Sequence, residues 1–124
     1  MALTGAGDRW VHGGVSLFIQ SQGLVLDVGW QGAYRGPENI ADDKWHHVAV
    51  TQAEKAIHFY VDGKYQHSYA CPIDLRNPAL ERLKIGFTNH DFPRPSYFTG
   101  HLRDVRVYDY AMTDEQVRKL SGQE

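Results

Sequence analysis

The 124-residue chain has the size of one domain, and 42% hydrophobic and 12% aromatic residues give it a globular composition. Its 13 basic and 15 acidic residues nearly cancel, which argues against nucleic acid or an anionic membrane as a partner. The single cysteine, Cys71, excludes an internal disulfide and a cysteine-rich metal site. No apolar run approaches the roughly 20 residues of a membrane span, and no signal-peptide pattern opens the chain.

The first third of the chain predicts a flexible start followed by strands and a long loop. Residues 1–8 are small and glycine-rich, which predicts a flexible lead-in before a single domain of residues 9–122. A short strand is expected at residues 9–11. Residues 15–20 and 24–28 alternate like strands. Residues 30–43 predict a loop long enough to have a functional role.

The central stretch, residues 45–70, predicts a three-stranded antiparallel meander. Trp45 to Thr51 alternates with a period of two, and Ile57 to Val61 reads the same way. Asp62-Gly63 is the strongest short-range signal for a two-residue type I′ hairpin turn. A third strand is expected from Lys64 to Tyr69.

The last third predicts two further strands and one helix. Residues 71–81 and 89–96 are interrupted by prolines and predict irregular chain. Residues 82–88 and 97–110 predict strands, the second with a bend or bulge near Arg103-Asp104 that restores the phase of its apolar residues. Thr113 and Gln116 form a capping box, which predicts a C-terminal helix that ends near Gly122. The pattern as a whole predicts an all-β sandwich with one short helix.

Five segments occur in an order and spacing that resemble a known family. They are Trp45 to Val50, Phe59 to Lys64, Leu83 to Gly86, Phe98 to Asp109 and Ala111 to Val117. Together they resemble a laminin-G-like domain of the concanavalin A-like jelly-roll superfamily, which implies an antiparallel jelly-roll β-sandwich. Relatives usually carry further N-terminal strands, so the resemblance also implies a partner that completes the sheet. That partner is expected to be a second copy, giving a homo-oligomer, or a neighbouring domain.

Two loops combine aromatic rings with the amide, carboxylate and guanidinium groups that bind sugars. One group contains Trp30, Tyr34 and Arg35, the other contains Asn89, Asp91, Arg94 and Tyr97, and Trp10 is expected to join either. The alternative is that Trp30 and Tyr34 fill the open sheet edge or cover the core of a partner subunit.

Metal binding and catalysis carry weaker signals. The resemblance implies calcium as a cofactor to consider, with Asp27 and Asp91 as ligands. His46 and His47 are adjacent on a strand and point to opposite faces, so they cannot chelate one ion. His58 and His67 are expected to face one another as a cross-strand pair, with a metal site as the less favoured alternative. Enzymes of this fold often carry a Glu-x-Asp-x-x-Glu strand, which is absent, and no nucleophile constellation replaces it.

The sequence therefore favours a non-catalytic binding module that recognises a glycan or a glycosylated protein. We expect it to be an accessory domain of a larger extracellular or cell-surface protein, without nucleic-acid or membrane partners. The alternative is a structural or assembly domain that mediates homo-oligomer or interdomain contacts. A glycoside-active enzyme is the third possibility.

Overall fold

The computed structural model describes residues 1–5, 9–76, 80, 82–92 and 97–122. Within them eight strands and one helix follow in chain order: β1 (Ala2–Thr4), β2 (Val15–Gln20), β3 (Gly23–Val28), β4 (Gly32–Arg35), β5 (Val48–Ala53), β6 (Ala56–Val61), β7 (Lys64–Ala70), β8 (Arg82–Lys84) and α1 (Asp114–Leu120). They form a five-stranded sheet in the order β4-β3-β2-β1-β8 and a three-stranded sheet in the order β5-β6-β7. The prediction of an all-β fold with one short C-terminal helix is confirmed.

The chain divides into two compact units. The first comprises Met1–Phe18, Val25–Tyr34 and Asp74–Val107, and the second comprises Ile19–Leu24, Arg35–Ile73 and Tyr108–Glu124. The single-domain boundary at residues 9–122 stays a prediction.

The N-terminus of the first unit corrects the expected flexible lead-in. Ala2–Thr4 is a strand that pairs antiparallel with β2 on one side and with β8 on the other. Ala2 and Thr4 are fully buried. The pairing partners, β2 and β8, lie elsewhere in the sequence. The short run of small residues therefore carries no strand signal of its own. Residues 6–8 of the expected lead-in lie outside the described residues.

The second unit is built on the predicted meander. Asp62 and Gly63 have φ angles of 50° and 74°, as a type I′ turn requires, and this turn joins β6 to β7. Ile57 and Phe59 on β6 are buried almost completely, and each such side chain contributes about 1.5–3 kcal/mol of transfer free energy. The strand β5 begins at Val48, three residues after the predicted start at Trp45.

The helix α1 also lies in the second unit and packs against the β6–β7 turn. The Thr113 hydroxyl oxygen accepts from the Gln116 backbone N–H, and the Thr113 backbone N–H donates to Gln116 Oε1, so the predicted capping box is confirmed. Val117 is fully buried. The Tyr60 hydroxyl donates to Asp114 at 2.8 Å, and burial, together with that carboxylate, raises the pKa of Tyr60 to about 12.

Several other expected elements differ from the structure. Residues 9–11 form no strand, Gly32–Arg35 is a strand inside the expected loop, and β8 is shorter than residues 82–88. The long strand expected over 97–110 does not form: Tyr97 makes one bridge to Phe87, and the remainder carries no regular structure. A bend or bulge of that strand was expected near Arg103-Asp104; Asp104 has a φ angle of 52°, but without a regular strand there is no bulge to confirm.

Candidate functional site

A glycine-lined crossing in the first unit holds the loop of residues 28–31 against residues 11–14. The Gly13 N–H donates to the Gly29 carbonyl at 3.0 Å, and the Gly29 N–H donates to the Gly14 carbonyl at 2.8 Å. A Cβ atom on Gly29 would collide with the Val11 carbonyl oxygen, so the two backbones approach as closely as glycine permits. The turn that follows Gly29 is therefore fixed by backbone contacts.

Trp30 lies at the tip of this turn. The Gln31 N–H donates to the Val28 carbonyl at 2.8 Å and closes the turn around it. Trp30 has a φ angle of 56°, a region that costs a bulky L-residue roughly 1 kcal/mol or more. Its side chain is nevertheless 72% exposed. Neither burial nor backbone preference accounts for a tryptophan here, and such strain concentrates at functional sites.

Trp10 joins the second predicted group by direct contacts. Its backbone N–H donates to Asp91 Oδ1 at 2.9 Å, and its ring meets Phe92 edge-to-face at 4.9 Å between centroids. Trp10 is only 6% exposed, and Asn89 is fully buried. Both residues lie in the interior, and their contact with a ligand stays a prediction. The contacts of Trp10 and the bond from the Phe92 N–H to the Asn89 carbonyl hold the 89–92 turn, and Asp91 remains exposed at its surface.

Tyr97 forms an exposed aromatic stack that the sequence did not reveal. Its ring lies parallel to Phe87, with 4.4 Å between centroids and 14° between planes, and it is 72% exposed. His90 contacts the same Phe87 ring at 5.2 Å, and Lys84 Nζ lies 5.5 Å from its centroid. The sequence predicted that Phe87 packs within a strand. In the structure Phe87 makes a single bridge to Tyr97 and supports the Tyr97 ring.

The remaining residues of the first predicted group, Tyr34 and Arg35, are neighbours on β4. Successive side chains of a strand point to opposite faces of the sheet. Arg35 donates to Gln20 Oε1 at 2.5 Å, and its carbonyl accepts from the Tyr69 hydroxyl at 2.7 Å. Through these contacts Arg35 supports the end of β4. Arg94 lies outside the described residues.

Asp27 and Asp91 were expected to bind calcium, and their part in calcium binding stays a prediction. Calcium takes about six to eight oxygen ligands. No group of three or more histidine, cysteine or acidic residues capable of holding a metal occurs in the described part of the chain. One Asp91 oxygen accepts from Trp10, and partial burial raises the pKa of Asp27, which disfavours its charged form.

The histidines of the second unit form structural contacts. His46 Nδ1 lies 2.8 Å from an Asp62 oxygen, and His46 Nε2 lies 2.8 Å from an oxygen of Asp42. Bonds to Asp62 first and Asp42 second raise the pKa of His46. His58 and His67 do not face one another, because His58 pairs with Ser68 in the β6–β7 register. The cross-strand histidine pair is therefore a wrong prediction.

Besides its contact with His46, the Asp62 side chain holds the residue that precedes β5. It also accepts from the His47 N–H at 2.9 Å, while the His47 carbonyl accepts from the Asp62 N–H at 2.8 Å. The turn residue thus fastens the start of β5 to the end of β6. In the sequence, this contact was signalled only by the presence of both the Trp-His-His and the Asp-Gly segments. The structure shows the physical reason, which is the bonding of Asp62 to His46 and His47.

Comparison with known proteins agrees with this architecture. A laminin G family model, described as the concanavalin A-like lectin/glucanases superfamily, matches residues 4–118. The chain belongs to this superfamily. Its fold is accordingly a concanavalin A-like β-sandwich, as the resemblance implied.

A solved structure with a similar fold comes from Clostridium thermocellum. It is the crystal structure of an S-layer domain-containing protein, residues 221–444, with 20% identity and a TM-score of 0.56. The match covers 89% of the present chain but only 57% of that chain, so the superfamily member described here spans little more than half its length. At this identity the likeness concerns the fold alone.

No curated protein matches the chain significantly. Among the described residues, no helix is both long and apolar enough to span a membrane.

Proposed function

We propose that this superfamily member is a non-catalytic binding module that recognises a glycan, free or on a protein. The observation that carries the proposal is Trp30, a 72% exposed tryptophan in a left-handed conformation at the tip of a turn fastened from behind. A sugar ring buries its apolar face on such an indole, which recovers the free energy lost by exposing it. Because the backbone is already fixed, binding requires little ordering.

Two further exposed groups of the same unit support a sugar ligand. Tyr97 offers a second aromatic face, and its stacking on Phe87 restricts the ring before a ligand arrives. Asp91 is exposed, and the bond from Trp10 fixes its carboxylate in place. A carboxylate of this kind accepts hydrogen bonds from vicinal hydroxyls, which gives selectivity to the affinity of the aromatic rings.

The absence of catalysis is part of the proposal. Glycoside hydrolysis needs a pair of carboxylates about 5–10 Å apart across the scissile bond. The sequence has no Glu-x-Asp-x-x-Glu strand to supply such a pair. Asp62 and Asp42 are both committed to His46, and Asp114 is committed to Tyr60. The exposed carboxylate of Asp91 would then act in binding the ligand and not in hydrolysis.

The cellular context follows from the same proposal. The similar structure is that of an S-layer domain-containing protein. We infer an extracellular or cell-surface location in a larger protein, where glycans and glycosylated proteins are abundant. Calcium is not required in this proposal, which rests on the exposed aromatic rings and the Asp91 carboxylate.

The experiment is a glycan array followed by calorimetry on the best ligand. Trp30→Ala should weaken binding by about 1–3 kcal/mol, roughly fivefold to 150-fold, with an unchanged circular dichroism spectrum. Trp45→Ala is the matched control, since Trp45 is also an exposed tryptophan but belongs to the second unit. Equal losses in both variants, or a sharp fall in melting temperature for Trp30→Ala, would assign Trp30 a structural role.

A further inference from the structure

His12 is an exposed residue of the first unit, the unit that also holds Trp30. Its imidazole makes no hydrogen bond, ion pair or ring contact within the described part of the chain. A neutral imidazole carries one donor and one acceptor nitrogen, and both are therefore available at the surface. The packing of the unit gives no reason for a histidine at this position.

A β-turn holds His12 in a fixed position. The Gly14 N–H donates to the Val11 carbonyl at 2.9 Å, which closes a turn with His12 as its second residue. Gly13, the third residue, has a φ angle of 75°, and a type II turn requires a positive φ angle there. A Cβ atom on Gly14 would lie 3.1 Å from the ring of the buried Trp10, so the turn rests on that ring. The backbone of His12 is therefore supported from below.

The bond between Gly13 and Gly29 places this turn beside the one that carries Trp30. His12 directly precedes Gly13 in the chain, and Trp30 directly follows Gly29. A Cβ atom on Gly29 would collide with the carbonyl oxygen of Val11, the residue bonded to His12. With the fixed spacing of neighbouring Cα atoms, this approach puts the Cα atoms of His12 and Trp30 within about 10 Å of each other. Both side chains are exposed, and at this spacing an imidazole and an indole can reach the same sugar ring.

We propose that His12 gives the Trp30 site its selectivity, by forming a hydrogen bond with a hydroxyl group of the sugar that stacks on the indole. This inference rests on the proposed function and adds to it a residue that the sequence did not single out. A sugar hydroxyl both donates and accepts, as the two nitrogens of a neutral imidazole do between them. Stacking uses only the apolar face of a sugar, whereas a directed hydrogen bond distinguishes the position of one hydroxyl.

Gln31 is the other exposed polar residue beside Trp30, and it fits this role less well. The glutamine side chain has more rotatable bonds than the histidine side chain. Holding it against a sugar therefore costs more conformational entropy. Because it lies in the same turn region, Gln31 offers a matched comparison for His12.

Calorimetry with the best glycan of the array and its monodeoxy analogues tests the assignment. His12→Ala should weaken binding of the parent glycan about fivefold, the contribution of one neutral hydrogen bond, with an unchanged melting temperature. The wild type should bind one monodeoxy analogue about fivefold more weakly than the parent glycan. His12→Ala should bind that analogue and the parent equally, since the bond is missing in both cases. Gln31→Ala should keep the full difference between the two glycans.

The outcomes separate this inference from the proposed function. A loss of affinity for Trp30→Ala without one for His12→Ala would overturn the role of His12 and leave the stacking site in place. So would a His12→Ala protein that still discriminates against the analogue as the wild type does, or a discrimination that disappears in Gln31→Ala instead. Wild-type affinity in Trp30→Ala, or no glycan bound by the wild type, would overturn the proposed function and this inference together.

Discussion

Replacing His46 by glutamine removes the cation that holds Asp62 and Asp42 together. Glutamine keeps a comparable length and one donor, but it cannot carry charge. The bond between His46 and Asp62 is charge-assisted, which places it at roughly 1.5–3 kcal/mol. The Asp62 side chain is 39% exposed, and solvent screens the pair, so we expect a loss of about 1–2 kcal/mol from this bond.

The loss should depend on pH with a definite sign. The folded state raises the pKa of His46, so its contribution is complete below its unfolded value of about 6.5 and disappears as the pH rises through the folded pKa. Burial raises the pKa of Asp62, but the bonds from His46 and His47 outweigh it and lower the pKa overall. The bond from His46 lowers the pKa of Asp42 to about 2. These two contributions are present above about pH 4 and are lost as the pH falls further.

Urea unfolding at several pH values measures this effect. The difference between wild type and His46→Gln should be largest between about pH 4.5 and 6 and should shrink toward pH 9. His12→Gln is the control, because His12 is exposed in the other unit. An equal loss at pH 5.5 and pH 9 would contradict the ion-pair explanation and would indicate that His46 acts by packing alone.

Three further predictions use the close contacts of the structure. Gly63→Ala should cost about 2–3 kcal/mol of unfolding free energy, because its Cβ would collide with Ser121 in addition to the left-handed strain. Gly86→Ala, also left-handed but with open space around it, should cost only about 1 kcal/mol, and equal costs would refute the contact with α1. Gly29→Ala should displace the turn at Trp30 and reduce glycan affinity at least about tenfold in calorimetry, whereas unchanged affinity would show that the glycine crossing does not position the ligand site. A chelator should leave glycan affinity unchanged, whereas a loss reversed by calcium would support calcium binding at Asp27 and Asp91.

The elements that the sequence predicted well are those whose signals are local. The Asp62-Gly63 turn and the Thr113 capping box each depend on residues within a few positions of one another. Both are found where their patterns placed them. The apolar alternation of Val15–Gln20 likewise identified a strand correctly.

The elements that the sequence missed depend on distant partners. Ala2–Thr4 becomes a strand because β2 and β8 flank it, and Gly32–Arg35 becomes one by joining the edge of the same sheet. Neither segment has enough apolar alternation to be predicted as a strand from its own residues. Residues 97–110 show the reverse case, in which a strong strand pattern gives one bridge, from Tyr97 to Phe87, and no regular strand.

The candidate site was predicted in part. Trp30, Asp91 and Tyr97 are exposed, as a role in binding requires, and their part in it stays a prediction. Composition could not distinguish them from Trp10, because an aromatic residue in a polar loop gives the same signal whether it faces a ligand or the core. Burial of Trp10 against Phe92 depends on a contact more than 80 residues apart in sequence.

Calorimetric titration of Trp30→Ala with the best glycan of the array tests the central claim most directly. The account predicts that the affinity falls about fivefold or more, by roughly 1–3 kcal/mol, while Trp45→Ala binds like the wild type. Binding of Trp30→Ala at wild-type affinity, with both variants folded, would show that the exposed tryptophan is not the sugar platform.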